Sequence, residues 1–297
     1  MSINTQIKRN RKANETMKPV IKWAGGKTQL LHHIITMLPT QYNNYFEPFI
    51  GGGAVLFHIS PVSAMINDVN SELINMYTQI KKRPTKVISY LSVLDKGHEQ
   101  SRDPKSYYYH IRNLYNENLG THSPEQASRL IYINKHCFNG LYRVNSKGFF
   151  NVPFNNKKSG NSFDKQNILE ISKYLRSVRI RNVDFERAVK NAKKGDFVFF
   201  DSPYAPLNPT SFTDYTKDGF HYEDHLRLAN LFKKLTNKGV YCMLTNHNTP
   251  LINELYKDFE QKIVPVSRSI NSKATKRKGE EIIIINYDIS NTNDNSI

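Results

Sequence analysis

Four large apolar side chains stand in a row, Phe197-Val198-Phe199-Phe200, with Gly195 before them and Pro203 soon after. A run that short, between two breakers, predicts a strand buried on both faces. Such a strand needs helices above and below its sheet, which restricts the chain to an α/β layer architecture. Ala64-Met65-Ile66, ending at Asn67-Asp68, and Val240 to Leu244 repeat the pattern, and Glu281 through Asp288 is a late strand built on Ile282 to Ile285. Leu30-Leu31, Ile34-Ile35 and Leu38 recur at helical spacing until Pro39 stops them. Further helices are predicted over Ser71–Ile80, His225–Leu235 and Pro250–Phe259. Strand–helix alternation on both sides of a differently composed middle segment predicts a doubly wound α/β sheet with an insertion.

The middle segment differs mainly in charge. The 297 residues carry 42 Lys and Arg against 26 Asp and Glu, a net charge of +16. Residues 81–165 alone hold fifteen basic and six acidic side chains, while residues 19–80 are slightly acidic. A field of that sign favours polyanions, either nucleic acid or a membrane surface. Tyr107-Tyr108-Tyr109 and Phe149-Phe150 lie among the basic residues. That interleaving suits contact with phosphates and bases, or else the aromatics form the core of a helical subdomain. No apolar run approaches the roughly 18 residues of a membrane span. The first 20 residues lack an apolar stretch, so no secretory signal is expected. Cys137 and Cys242 are too few for a disulfide framework or a thiolate zinc site, so no metal is expected and a reducing, cytoplasmic setting fits. Residues 1–17 read as a flexible basic arm and 289–297 as a polar tail, leaving 18–80 and 166–288 as one α/β domain around the 81–165 insertion.

Three constellations fall where such a sheet binds ligands. Trp23-Ala24-Gly25-Gly26-Lys27-Thr28 invites a phosphate-loop reading, but that motif needs glycine where Ile21 stands, and a loop entering a helix is the alternative. Phe46-Glu47-Pro48-Phe49-Ile50-Gly51-Gly52-Gly53 puts glycines after a strand, where a ligand can approach the backbone. The dinucleotide fingerprint fails at Leu56, yet Asp68 follows at nucleoside-binding range, placed either to accept from ribose hydroxyls or to cap a helix. Phe200-Asp201-Ser202-Pro203-Tyr204 delivers a carboxylate, a proline and an aromatic ring at a strand's carboxyl end. An acceptor beside a flat face suits an amino-bearing base; otherwise the tetrapeptide is a turn.

These motifs, in this order, resemble the DNA adenine methylase family, the α-group of N6-adenine methyltransferases. The resemblance spans about residues 18–288. Asn139-Gly140-Leu141-Tyr142-Arg143-Val144-Asn145, followed by Phe150-Asn151-Val152-Pro153-Phe154, is similar to the target-recognition segment of GATC-methylating members. Ala205-Pro206-Leu207 and Phe212-Thr213-Asp214-Tyr215 extend the likeness. The resemblance implies a methyltransferase sheet using S-adenosyl-L-methionine, with 81–165 as a mainly helical target-recognition domain for double-stranded DNA. It implies cofactor contacts at Trp23, Lys27, Glu47, Gly51, Gly53, Asp68, Asp184 and Asp201, and chemistry at Asp201, Ser202, Pro203 and Tyr204. It assigns DNA contacts to Asn139, Leu141, Arg143 and Pro153, with Arg143 on a guanine edge or a phosphate. The basic loop Arg268 to Lys278 touches phosphate or is simply solvated. Such an enzyme either works alongside a restriction endonuclease acting on the same site, without a stable complex, or acts alone. The family's usual tetrapeptide has proline where Ser202 stands; serine keeps the backbone carbonyl but frees φ, which predicts a looser loop. Rival readings are another target sequence or RNA, a binding protein that lost catalysis, and a nucleotide hydrolase.

Overall fold

Alternate residues of each strand face opposite sides of the sheet, and here both sides are apolar. The computed structural model describes residues 17–23, 25, 27, 30–207, 219–267 and 278–289. Among these, seven strands form one sheet: β1 (Tyr45–Glu47), β2 (Ala64–Asn67), β3 (Val178–Arg181), β4 (Phe197–Phe200), β5 (Tyr241–His247), β6 (Glu260–Ser267) and β7 (Lys278–Ile285). Their order is β3-β2-β1-β4-β5-β7-β6. The first five are mutually parallel; β7 runs antiparallel between β5 and β6. The sheet is therefore mixed, with an antiparallel hairpin at one end.

Tyr45, Phe197, Phe199, Met243 and Ile283 bury on one face, Phe46, Val198, Phe200, Leu244 and Ile282 on the other. Full burial of each such side chain contributes about 1.5–3 kcal/mol. Helices α1 (Leu31–Thr36), α2 (Ala54–Ile59) and α3 (Ser71–Lys82) contribute to the first face. Asn70 caps α3 by accepting from Leu73 N at 3.0 Å, with Glu72 in its first turn and Lys81 and Lys82 in its last, all favourable to its dipole. The next helices are α4 (Pro84–Gln100), α5 (Pro104–Glu117), α6 (Pro124–His136) and α7 (Lys165–Leu175). Val87, Leu91, Tyr108, Tyr115 and Tyr132 join the same apolar cluster, so the core continues from the sheet face into the 81–165 segment. Many of its aromatics serve packing, as the second alternative supposed. Short α8 (Phe185–Ala188), then α9 (Tyr222–Asn237) and α10 (Pro250–Leu255), cover the other face.

The chain runs outward from β1 to β2 and β3, then returns to β4 beside β1 and continues to β5. The carboxyl ends of β1 and β4 thus flank the switch point where open α/β sheets bind ligands. The expected strand at Val240 starts at Tyr241 and extends to His247, the late strand occupies Lys278–Ile285, and α10 stops at Leu255 rather than Phe259. Two strands escaped sequence reading. β3 is an edge strand whose Arg179 and Arg181 break the apolar run, and β6 is an edge strand containing Pro265. No helix among the described residues is long and apolar enough to cross a membrane.

Candidate active site

Glu47 ends β1 and Asp201 follows β4, so two carboxyls meet at the switch point. Lys27 joins them: its Nζ lies 2.6 Å from Asp201 Oδ1 and donates to the Gly25 carbonyl. The Lys27 side chain is 4 % exposed, so this ammonium depends on its partners for charge compensation. Thr245 Oγ1 also donates to Asp201 Oδ1, at 3.0 Å. Burial pushes Asp201 above the usual carboxylate range; Lys27 opposes that rise and Glu281 adds to it. Burial also raises the Glu47 pKa, opposed by the Tyr45 hydroxyl, which donates to Glu47 Oε2 at 2.8 Å, and by Lys27, and reinforced by Asp201.

Ser202 is buried, and Asn246 Nδ2 lies 3.4 Å from its Oγ. The Asn246 side chain also accepts from Ala205 N at 2.8 Å. The looser loop expected from a missing proline is thus countered by a side chain that ties it at two points. Tyr204 donates its hydroxyl to Glu281 Oε2 at 3.0 Å, meets the His247 ring edge-on at 4.8 Å, and has Lys27 Nζ 4.7 Å from its ring centroid. Burial pushes the Tyr204 phenol well above its ordinary pKa, so it stays neutral.

At the end of β2, Asp68 accepts from Gly51 N at 3.1 Å and from Asn70 N at 3.0 Å. It is not the helix cap, which is Asn70, and burial raises its pKa while backbone N–H groups oppose. Gly51 has φ +46°, and a Cβ there would sit 2.9 Å from Trp23 Cδ1. A Cβ at Gly53, φ +74°, would meet Phe57 at 2.8 Å and the Tyr77 hydroxyl at 3.0 Å. The glycines therefore admit protein side chains in this structure, and Tyr77 clamps the turn by donating to Gly51 O at 2.8 Å. Asp184 caps α8 through Glu186 N and pairs with Arg227 at 3.0 Å.

Trp23 stacks on Tyr142 with ring centroids 4.7 Å apart and planes 25° from parallel. Asn134 reinforces that joint, accepting from Lys22 N and donating to both Lys22 O and Gly140 O. The segment that follows Tyr142 is a hairpin, with Val144 bridged to Phe150 and the Asn145 side chain accepting from Lys147 N and Phe149 N. Arg143 is exposed, its Nε donating to Asn151 Oδ1 at 2.8 Å. Asn139 and Pro153 are exposed and adjacent, since Phe138 N donates to Pro153 O; Leu141 is half-buried. Asn139 adopts φ +56°, which Asn tolerates better than most residues. Phe212 to Tyr215 and Arg268 to Arg277 lie outside the described residues. Both cysteines are buried and unpaired by disulfides, and burial pushes the Cys137 thiol up to about 11, which disfavours a thiolate nucleophile.

Sequence reading missed Tyr45, Tyr77, Tyr142, Thr245, Asn246, His247 and Glu281. Thr245-Asn246-His247 carried a signal, a polar triplet closing an apolar strand; Tyr45 pairs with nearby Glu47 but reads as an ordinary strand residue, and Tyr77, Tyr142 and Glu281 have partners distant in sequence and no local mark.

Residues 23–270 match the D12 class N6 adenine-specific DNA methyltransferase family. The type II methyltransferase M1.LlaDCHI of Lactococcus lactis subsp. cremoris is 47% identical over 91% of this chain and 96% of its own length. The type II methyltransferase M.MjaIII of Methanocaldococcus jannaschii is 40% identical over 91% and 99%, and the DNA adenine methylase of Haemophilus influenzae 32% over 90% and 93%. The chain belongs to the D12 class and is an adenine-specific DNA methyltransferase, which makes DNA its substrate and implies S-adenosyl-L-methionine as its methyl donor.

Proposed function

We propose that this enzyme methylates the N6 atom of adenine within GATC in double-stranded DNA, after the base leaves the helical stack. The observation that carries the reading is the Asp201–Tyr204 loop at the switch point, where a carboxylate and an aromatic ring both meet Lys27. The exocyclic nitrogen of adenine is a weak nucleophile because its lone pair is delocalised into the ring. Asp201 and the Ser202 carbonyl, accepting its two hydrogens, favour the pyramidal nitrogen that can attack. Tyr204 stacks on the extruded base. Orientation supplies most of the catalysis, and no covalent intermediate with the chain is needed.

The residues at the switch point fit the methyl donor. Glu47 and Asp201 both face one ammonium, Lys27, and Asp68 holds the Gly51 turn through its N–H. That donor set suits a ligand bearing sulfonium and ammonium charges. When bound, S-adenosylmethionine supplies an electrophilic methyl group. Trp23, Lys27, Glu47, Gly51, Gly53, Asp68, Asp184 and Asp201 would hold it, Asp184 keeping its ion pair with Arg227 and using its remaining acceptor capacity.

Residues 81–165 serve as the target-reading part and 18–80 with 166–288 as the catalytic part. Asn139, Leu141, Arg143 and Pro153 face the target, with Arg143 on a guanine edge. Two relatives being type II methyltransferases by name supports a cognate restriction endonuclease that acts on the same site without a stable complex.

Mapping N6-methyladenine in unmethylated genomic DNA after incubation with enzyme and cofactor tests this. Modification should be confined to GATC; a different consensus would overturn the target assignment. Arg143→Ala should admit sites substituted at one base pair, since a bidentate pair discriminates by roughly ten- to a hundredfold. Equal weakening on all sequences would mark Arg143 as a phosphate contact.

A further inference from the structure

Glu281 lies in β7, directly across from His247 in β5, and both reach the ring of Tyr204. The ring is restrained at its hydroxyl by Glu281, at its edge by His247 and over its face by Lys27. Of these, the hydrogen bond to Glu281 acts at the far end of the side chain, where the Thr245 hydroxyl also lies, and there it resists swinging about χ1. A phenylalanine would stack equally well on a base, so this bond gives the tyrosine hydroxyl a purpose. We propose that Glu281 is a positioning residue for methyl transfer, holding Tyr204 where the target adenine must stack. The proposal rests on the reading in which Asp201 and Tyr204 receive that adenine.

Glu281 has a second, separable effect. Asp201 faces Lys27 from the loop before α1, Thr245 from β5, Glu47 from β1, Tyr204 from its own loop and Glu281 from β7. Glu281 is a like charge that raises the Asp201 pKa. Glutamine at 281 removes this charge but keeps an acceptor for the Tyr204 hydroxyl; alanine removes both.

The test is single-turnover methyl transfer against pH, with the fluorescence of a duplex carrying 2-aminopurine at the target adenine. Glu281→Gln and Glu281→Ala should both move the acidic limb of the rate profile to lower pH. Glu281→Gln should keep the plateau rate and fluorescence within about threefold, whereas Glu281→Ala should lose at least about tenfold in plateau rate. Tyr204→Phe should reproduce the plateau loss of Glu281→Ala, and the double variant should be no slower than either. A wild-type plateau in Glu281→Ala, or losses that multiply in the double variant, would overturn the proposal. If Asp201→Ala and Tyr204→Ala also retain wild-type rates, the underlying reading of the site has failed. If they lose activity while Glu281 variants do not, only the role of Glu281 has failed.

Discussion

Lys27 and Glu281 pull the titration of Asp201 in opposite directions, the cation lowering its pKa and the carboxylate raising it. An acceptor for adenine N6 must be ionised, so transfer should fail as pH drops through the Asp201 pKa. Because burial already lifts that pKa, the loss should begin above the pH at which a free aspartate protonates. Lys27→Met removes the stabilising cation and lifts the pKa further. Its acidic limb, measured by single-turnover transfer with both ligands saturating, should move to higher pH, opposite to Glu281→Gln. Asp201 and Tyr204 were legible as candidates in the sequence because they follow a strand whose composition announces it. Glu281 was not, because its partner lies 77 positions away and only the β5–β7 register brings them together.

At the scale of elements, the central strands were legible and the edges were not. β2 and β4 are buried runs of nearly continuous apolar composition, and β5 opens with one, Tyr241 to Leu244. β3 and β6 carry Arg, Lys and Pro, residues suited to blunting an exposed edge, and so lose the apolar signature. The glycine turn shows a similar division. Its backbone demand was visible, but the neighbour filling the space, Trp23, was not. Gly51→Ala must adopt φ +46° and push Trp23 Cδ1 away from 2.9 Å. It should cost about 1–2 kcal/mol of stability from backbone strain alone, visible as a lowered melting temperature. It should also weaken S-adenosylmethionine binding in calorimetry, because Trp23 is displaced. Unchanged melting and affinity would show that the turn relaxes freely.

For the whole molecule, charge is unevenly spread along the chain. The carboxyl-rich switch point suits a cationic cofactor, while the basic excess of 81–165 offers exposed Lys82, Lys86, Lys135, Arg143, Lys147, Lys157 and Lys158 to a polyanion. The stacked Trp23–Tyr142 pair and the Asn134 bonds join the two regions. Duplex affinity should fall steeply with salt, by roughly 10³-fold between about 50 and 200 mM if six or more phosphates are contacted. A flat salt dependence would remove the basic segment from the interface. The most direct measurement is single-turnover transfer of labelled methyl from S-adenosylmethionine to a duplex with one GATC, by wild type and by Asp201→Ala, both ligands saturating. Label should appear on N6 of the GATC adenine, and Asp201→Ala should be slower by about 10²-fold or more, the scale of losing a directed contact to the reacting group. Label on any other atom, or a wild-type rate in Asp201→Ala, would contradict the account.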